Sequence, residues 1–308
     1  MVLFPYKADV ELSRWPTITM AVCAICIWVF VRQEISEHAY RSSLMDYCNH
    51  EITRDDRLVM HYLGGPQGRH ICDVMLEIRA APNRAAAIRG LSEHARQVPF
   101  YRNPADSTDY IANALTESSR RFERAVPPNL TERLQYDPNG LNVWRMVTAA
   151  FSHADWWHLT SNLVFFFAFA ASVEVIAGHG YFFGFILLSA IGTHLAYRYS
   201  VSGAADALPT IGLSGVVMAT MAFLATVIPA LRIRCVFWLF VIVRMFRVPA
   251  LAIAALYIVE NIFGFVNRDA DSTVNYIAHI SGAAIGVAMG TLYRLTHRDF
   301  LRGLVQDI

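Results

Sequence analysis

Ala278-His279-Ile280-Ser281-Gly282-Ala283-Ala284-Ile285-Gly286-Val287-Ala288-Met289-Gly290 decides how this chain folds. The run is apolar except for its imidazole and Ser281, and from Gly282 it carries a glycine at every fourth position. Residues four apart share a helix face, so the glycines form a ridge of bare backbone that another helix can approach closely. His279 stands at the start of the run, where a lone imidazole is costly to bury without a partner. A second apolar run supplies one: Ser214 in Gly212-Leu213-Ser214-Gly215. If the two helices are neighbours, Ser214 and His279 meet at one depth, and the imidazole can take the serine proton. This pairing points to hydrolytic chemistry inside a bilayer.

The composition agrees with a membrane protein: 55% of residues are hydrophobic and 17% charged, below the charge of an ordinary soluble domain. Apolar stretches near 16–32, 158–177, 181–201, 208–229, 249–266 and 276–294 predict six spans, the first lying near the lower length limit. Another apolar run at 235–243 is closed by Arg244 and Arg247 and reads as interfacial or partly re-entrant. Threading six spans puts Lys7 and Arg14, Arg232 and Arg234, and Arg294, Arg298 and Arg302 on one side. The positive-inside rule makes that side cytoplasmic, with both termini. The connection at 267–275, with Asn267, Arg268, Asp269 and Asp271, then falls outside, and Arg198 is the one discordant charge. A net charge of +1 argues against a nucleic-acid partner. The first span reads as an uncleaved helix rather than a signal peptide, because Val29-Phe30-Val31-Arg32 lacks a small-residue cleavage pattern. No organelle-targeting segment is evident, so a bacterial inner (plasma) membrane is the expected location.

Four segments follow: 1–32, a cytoplasmic N-terminus and first span; 33–141, an external loop or small subdomain; 142–296, a core with five further spans; and 297–308, a cytoplasmic tail. The external segment is rich in Arg, Glu and Asp. Its patterning predicts amphipathic helices from about Pro82 to Gln97 and from Ser107 to Arg124, the second capped by Ser107 or Thr108. Pro99, Pro104, Pro127, Pro128 and Asp137-Pro138-Asn139-Gly140 read as loops. Of the chain's five cysteines, Cys48 and Cys72 lie in this segment and can pair if the compartment is oxidising. Repeats and metal-ligand spacings are not found, and neither metal nor cofactor is expected.

Further candidate residues lie just before and within the second span. Trp144-Arg145 and Phe151-Ser152-His153 lead to His158 and Asn162, four apart and so on one helix face. Directed into a cavity, His158 and Asn162 suit donation to a developing oxyanion; the other reading is an interfacial helix start with its tryptophans at headgroup level. Ser214 has its own plainer reading, a hydroxyl bonded to the carbonyl four residues back. Gly212 and Gly215 favour the chemical one by clearing space around it. Val216 stands where the Gly-x-Ser-x-Gly elbow of soluble hydrolases has its second glycine. For His279 the plainer readings are a proton relay or a haem ligand; haem wants paired histidines at matched depth, and although His194 is one intramembrane alternative, no second helix supplies an obvious opposite ligand.

In these motifs, across about 142–296 and including the first span, the chain resembles the rhomboid intramembrane serine proteases. The matching elements are Trp144-Arg145, the His153/His158/Asn162 set, Gly212-Leu213-Ser214-Gly215 and Ala278-His279 with Gly282 and Gly286. Glu174 and Gly178 resemble a further structural pair of that family. The resemblance implies an all-α, six-transmembrane-helix rhomboid-like bundle, with a large extramembrane insertion between the first and second helices. It implies Ser214 as nucleophile and His279 as general base, a dyad without a carboxylate. His158, Asn162 and the Ser214 backbone N–H would form the oxyanion hole, and Trp144 and Arg145 would belong to a loop lying partly in the outer leaflet. Substrates would be single-span or other transmembrane proteins within the lipid bilayer, cut in or near their membrane segments. Two features depart from the family. Met218 stands where many members have a tyrosine stacked on the histidine, and the first external loop is long. A catalytically inactive relative, binding membrane proteins or acting in their quality control, is the alternative, and the presence of both Ser214 and His279 argues against it. A transporter would need more intramembrane carboxylates than Glu260.

Overall fold

The computed structural model describes residues 2–9, 14–64, 70–81, 83–202, 207–239, 242–267 and 274–306. Pro82 and the loop residues Arg268, Asp269 and Asp271 lie outside the described residues. Two compact units divide the chain, Met1–Arg32 with Leu134–Ile308, and Gln33–Arg133.

The first unit holds the apolar helices. The structure is mostly helical, and among the described residues four helices are long and apolar enough to cross a membrane: α1 (Thr17–His50), α8 (Trp156–Ala177), α9 (His179–Ser200) and α12 (Tyr276–Thr296). Two shorter apolar helices, α10 (Ser214–Val227) and α11 (Ala250–Val266), complete this set. A short helix, α7 (Val143–Ala150), precedes α8, and α13 (Arg298–Gln306) follows α12. The buried core runs through α8, α9, α10 and α11, with Phe166, Phe169, Phe185 and Phe223 fully enclosed.

Two expectations are corrected here. The chain is not all-α: β1 (Val2–Ala8), β2 (Arg232–Leu239) and β3 (Ile242–Pro249) form an antiparallel sheet in the order β1-β2-β3. Pro5 pairs with Cys235, and Arg234 with Arg247. Phe240 and Val241 lie outside the described residues, and the described part of the run read as interfacial or re-entrant therefore lies in two paired antiparallel strands. Its period is visible in burial, because Ile233 and Cys235 are enclosed while Arg232 is exposed, the alternation of a half-buried strand. Asp9 joins the sheet through ion pairs to Arg234 and Arg247. Second, the fourth apolar stretch is not helical from 208. Pro209 lacks an N–H for a helix, Gly212 takes φ 120°, and α10 starts only at Ser214. Ser214 is thus the first helical residue rather than a residue within a helix beginning near 208. With 14 residues, α10 is about 21 Å long at 1.5 Å per residue, short of the roughly 30 Å hydrocarbon layer.

At the opposite end of α10's bundle, Glu174 fastens α1 to α8. Its buried carboxylate accepts from the backbone N–H of Ile18 at 2.8 Å, and from the N–H and hydroxyl of Thr19 at 2.7 Å each. His179 Nδ1 lies 2.6 Å from Oε1, the oxygen that also accepts from Ile18. These donors include the N–H groups that a helix start leaves without a helical carbonyl. Gly178, at φ 87°, then turns the chain directly into α9.

The second unit is helical. Besides the end of α1 it contains α2 (Arg54–Leu63), α3 (Ile71–Ala80), α4 (Arg84–Glu93), α5 (Pro104–Ala125) and the start of α6 (Leu130–Leu134). The sequence reading missed α2 and α3. It also placed the cap of the later helix wrongly: Asn103 caps α5, not Ser107 or Thr108, and Asn83 caps α4. Proline at the first helical position explains the earlier start of α5, since its missing N–H has no helical partner there. Ser107 is instead buried and accepts from Val98 N–H at 2.8 Å. Asp56 ties α2 to α5, accepting from Ser118 and, at 2.8 Å, from Arg121. Burial would raise its carboxyl, but the Ser118 and Thr53 hydrogen bonds and Arg121 outweigh that and hold it below the ordinary carboxylate value. A disulfide joins Cys48 to Cys72 across 24 residues, a closure worth about 3 kcal/mol.

Candidate functional site

The ridge of α12 packs on α10 with backbone against backbone. A β-carbon on Gly282 would stand 2.2 Å from the Gly215 carbonyl oxygen, and one on Gly290 would stand 3.0 Å from that of Phe223. Such an approach is open only to glycine, and it sets the two helices close enough for their first turns to share a site.

There His279 Nε2 lies 2.7 Å from Ser214 Oγ, although the residues are 65 apart in sequence. Ser214 does not bond back into its own helix as the plainer reading had it, since no helix precedes it. Opening α10 has a second consequence. First-turn N–H groups have no helical carbonyl to meet, and Leu213 supplies no side-chain cap. The N-terminal end of α10, with the Ser214 N–H, therefore faces the serine hydroxyl region with its positive dipole end.

His158 is brought to the same place by the loop before α10. A β-carbon on Gly212 would lie 2.8 Å from both Cε1 and Nε2 of His158, and 3.8 Å from Ser214 Oγ. Both the imidazole and the positive φ thus demand glycine there. The loop is held by backbone bonds: Thr210 and Tyr136 exchange two, at 2.9 and 3.0 Å, and Gly212 N–H donates to Ala149 O at 2.9 Å. Ala154 N–H approaches His158 Nδ1 at 3.5 Å, the arrangement suited to a neutral imidazole with its hydrogen on Nε2, the nitrogen beside Gly212. Asn162 is buried one turn further along α8 and gives one amide hydrogen to the His158 carbonyl at 2.9 Å; its second hydrogen is not used in that bond. His153 is buried with its ring edge-on to His158, centroids 5.2 Å apart. Burial, and then the neighbouring His158, push the His153 imidazole down to about 3.

The remaining residues singled out from the sequence are placed as follows. Gly215 packs on Thr193, whose side chain would lie 3.0 Å from an added β-carbon. Met218 is buried on α10, one turn after Ser214. Trp144 and Arg145 lie on α7 rather than in a loop; Trp144 is exposed, beside exposed Leu141 and Val143. Glu174 sits at the far end of α8 from His158 and serves the α1 junction. His194 is buried on α9, its Nδ1 2.6 Å from the Ala190 carbonyl, and its ring packs on Tyr136.

One residue of the site was missed. Asn261, buried on α11, has its Oδ1 2.6 Å from His279 Nδ1, and its Nδ2 donates to Tyr257 O at 2.8 Å. The available signal was an amide inside an otherwise apolar run, beside the Glu260 that did draw notice. Cys48, His70 and Cys72 place possible metal-ligand atoms within 4.8 Å of one another, but the two sulfurs are bonded to each other.

A family model described as Rhomboid domain matches residues 140–296. Rhomboid-like protein 11, chloroplastic, of Arabidopsis thaliana is 31% identical over 153 residues, covering 47% of this chain and 51% of that protein. The chain thus spans about half the length of the curated relative it matches.

Proposed function

The chain belongs to the rhomboid family, and from that premise we propose that this integral membrane protein is an intramembrane serine endopeptidase acting through Ser214 and His279. The observation that carries the reading is the 2.7 Å approach of His279 Nε2 to Ser214 Oγ. In the reaction Ser214 Oγ attacks the carbonyl carbon of a scissile peptide bond while its proton passes to Nε2. Collapse of the tetrahedral intermediate breaks the C–N bond, and the proton leaves with the amine. Water then attacks the acyl ester, gives its proton to His279, and the ester oxygen recovers it as Ser214. The oxyanion would lie among the Ser214 N–H, the Nε2–H of His158 and the second amide hydrogen of Asn162. Substrates would be single-span or other transmembrane proteins, whose helix must open locally before a carbonyl is presented.

The same reading takes α1, α8, α9, α10, α11 and α12 as six spans, with residues 33–133 an external insertion. Two contacts support that threading. Pairing of β1 with β2 puts the N-terminal segment and the α10–α11 connection at one end, and Arg294 donates to Thr226 O at the end of α10. That end collects Arg14, Arg232, Arg234, Arg247 and Arg294, so it is assigned to the cytoplasm with both termini. Ser214, His279 and His158 open the other ends of their helices and would face outside.

The test is cleavage of a fluorogenic transmembrane substrate by the purified protein in liposomes, beside Ser214→Ala and His279→Ala. Cleavage by the parent protein alone supports the dyad. Equal cleavage by Ser214→Ala removes it, and no cleavage together with no labelling of Ser214 by a fluorophosphonate favours an inactive membrane-protein binder.

A further inference from the structure

We infer that Asn261 is a positioning residue for His279, holding the imidazole with its hydrogen on Nδ1 and its lone pair on Nε2, toward Ser214. As a statement about catalysis it rests on the protease reading; as a statement about the imidazole it stands on the geometry. The carboxamide has a direction. Its NH2 donates to the Tyr257 carbonyl 2.8 Å away, one turn back on α11. Were the group reversed, its oxygen would face that carbonyl, acceptor against acceptor. The oxygen therefore faces His279 Nδ1 at 2.6 Å, and a close contact with an acceptor-only atom requires Nδ1 to carry the hydrogen. A neutral imidazole so held has its free electron pair on Nε2, the nitrogen 2.7 Å from the serine hydroxyl.

Three consequences follow from chemistry alone. The imidazole reaches serine already in the base form, with no tautomer exchange before proton transfer. Ring rotation is stopped by a bond at each end, one to α10 and one to α11. When Nε2 takes the serine proton, the Nδ1–H bond becomes charge-assisted and strengthens. The amide orients and stabilises as an acidic third member does elsewhere, with smaller electrostatic effect because it is neutral. The chain reaches this arrangement with Met218, not an aromatic ring, one turn past Ser214.

The experiment uses the full chain, 15N-labelled at histidine, in detergent micelles and in liposomes. His279 resonances are assigned by their loss in His279→Gln. The expected spectrum at neutral pH shows His279 with a protonated Nδ1 and a bare Nε2, and Asn261→Ala converts it to a tautomer mixture. Hydrogen on Nε2 in the parent protein, or an unchanged tautomer in Asn261→Ala, overturns the inference whether or not the protein cleaves anything. In the cleavage assay Asn261→Ala should lower kcat about 10- to 100-fold with KM within about twofold, the range of one lost hydrogen bond to a group that becomes charged. Asn261→Asp keeps an acceptor; it should restore most of kcat and move the acid limb of the kcat–pH profile upward, because a carboxylate favours the imidazolium. Equal losses in Ala and Asp variants, tracking lost thermal stability, would make Asn261 a packing residue and overturn its positioning role. Failure of the protease reading shows differently, as no cleavage by the parent protein with the Nδ1–H tautomer intact.

Discussion

Gly286 and Ala219 meet backbone to backbone: a β-carbon on Gly286 would stand 2.2 Å from the Ala219 carbonyl oxygen and 2.9 Å from the Ala222 side chain. A carbonyl oxygen cannot rotate away as a side chain can, so the spacing of α10 and α12 is fixed by this contact. Gly286→Leu, and to a lesser degree Gly286→Ala, should separate the helices, lower the thermal midpoint, and reduce cleavage by lengthening the serine–histidine contact. Overpacking of this kind costs about 1–3 kcal/mol. Gly184→Ala, with nothing within 4 Å of the added carbon, is the control and should leave both quantities unchanged. Parallel melting and cleavage assays decide it; survival of both in Gly286→Leu would remove the packing argument.

His158 and Asn162 are expected to act on turnover. His158→Ala and Asn162→Ala should each lower kcat about 10- to 1000-fold, the range for one oxyanion donor. Fluorophosphonate labelling of Ser214 should slow as well, since its transition state carries a developing oxyanion. Unchanged kcat in both variants would exclude them from that role.

Glu174→Gln tests the far end of the bundle. One amide oxygen cannot accept all of the bonds that Ile18 and Thr19 now make to two carboxylate oxygens. Each buried donor left unsatisfied costs about 1–3 kcal/mol, so the thermal midpoint should fall. Turnover measured well below that midpoint should stay at the parent level, because Glu174 lies at the opposite end of α8 from His158.

His153 makes stability depend on pH. Its folded value is pushed from 6.5 down to about 3, so its contribution is complete above 6.5, where both folded and unfolded chains hold it neutral. Between 6.5 and about 3 only the unfolded chain takes the proton, and stability falls as pH falls. His153→Phe should remove about 1.4 kcal/mol per pH unit from the slope of stability between pH 4 and 6. Denaturant titrations at several pH values measure it, and an identical slope in the variant would show that His153 is protonated in the folded chain.

The sequence was most legible where one kind of residue at one spacing has one physical use. Gly282, Gly286 and Gly290 declared a close helix contact, and Ser214 and His279 declared themselves as polar groups in apolar runs. The strands were less legible because Arg232 to Leu239 is short and apolar enough to pass for membrane-surface chain; its period of two stands out only beside burial. Ser107 and Thr108 looked like caps because composition cannot tell a cap from a buried serine one turn into the helix. Asn103-Pro104 carried the better signal.

By itself, then, the sequence determined the apolar helices, the glycine ridge and the chemical identity of the pair, since hydropathy, backbone bareness and functional groups are local properties. Tertiary structure alone decided which atoms of that pair face each other. The direction of an imidazole depends on what holds its other nitrogen, and Asn261 is 18 residues away on another helix. Pro209 and Gly212 keep the stretch before Ser214 out of a helix, but where that loop lies was likewise decided by Tyr136 and Ala149, which hold it through backbone bonds that residue types do not specify.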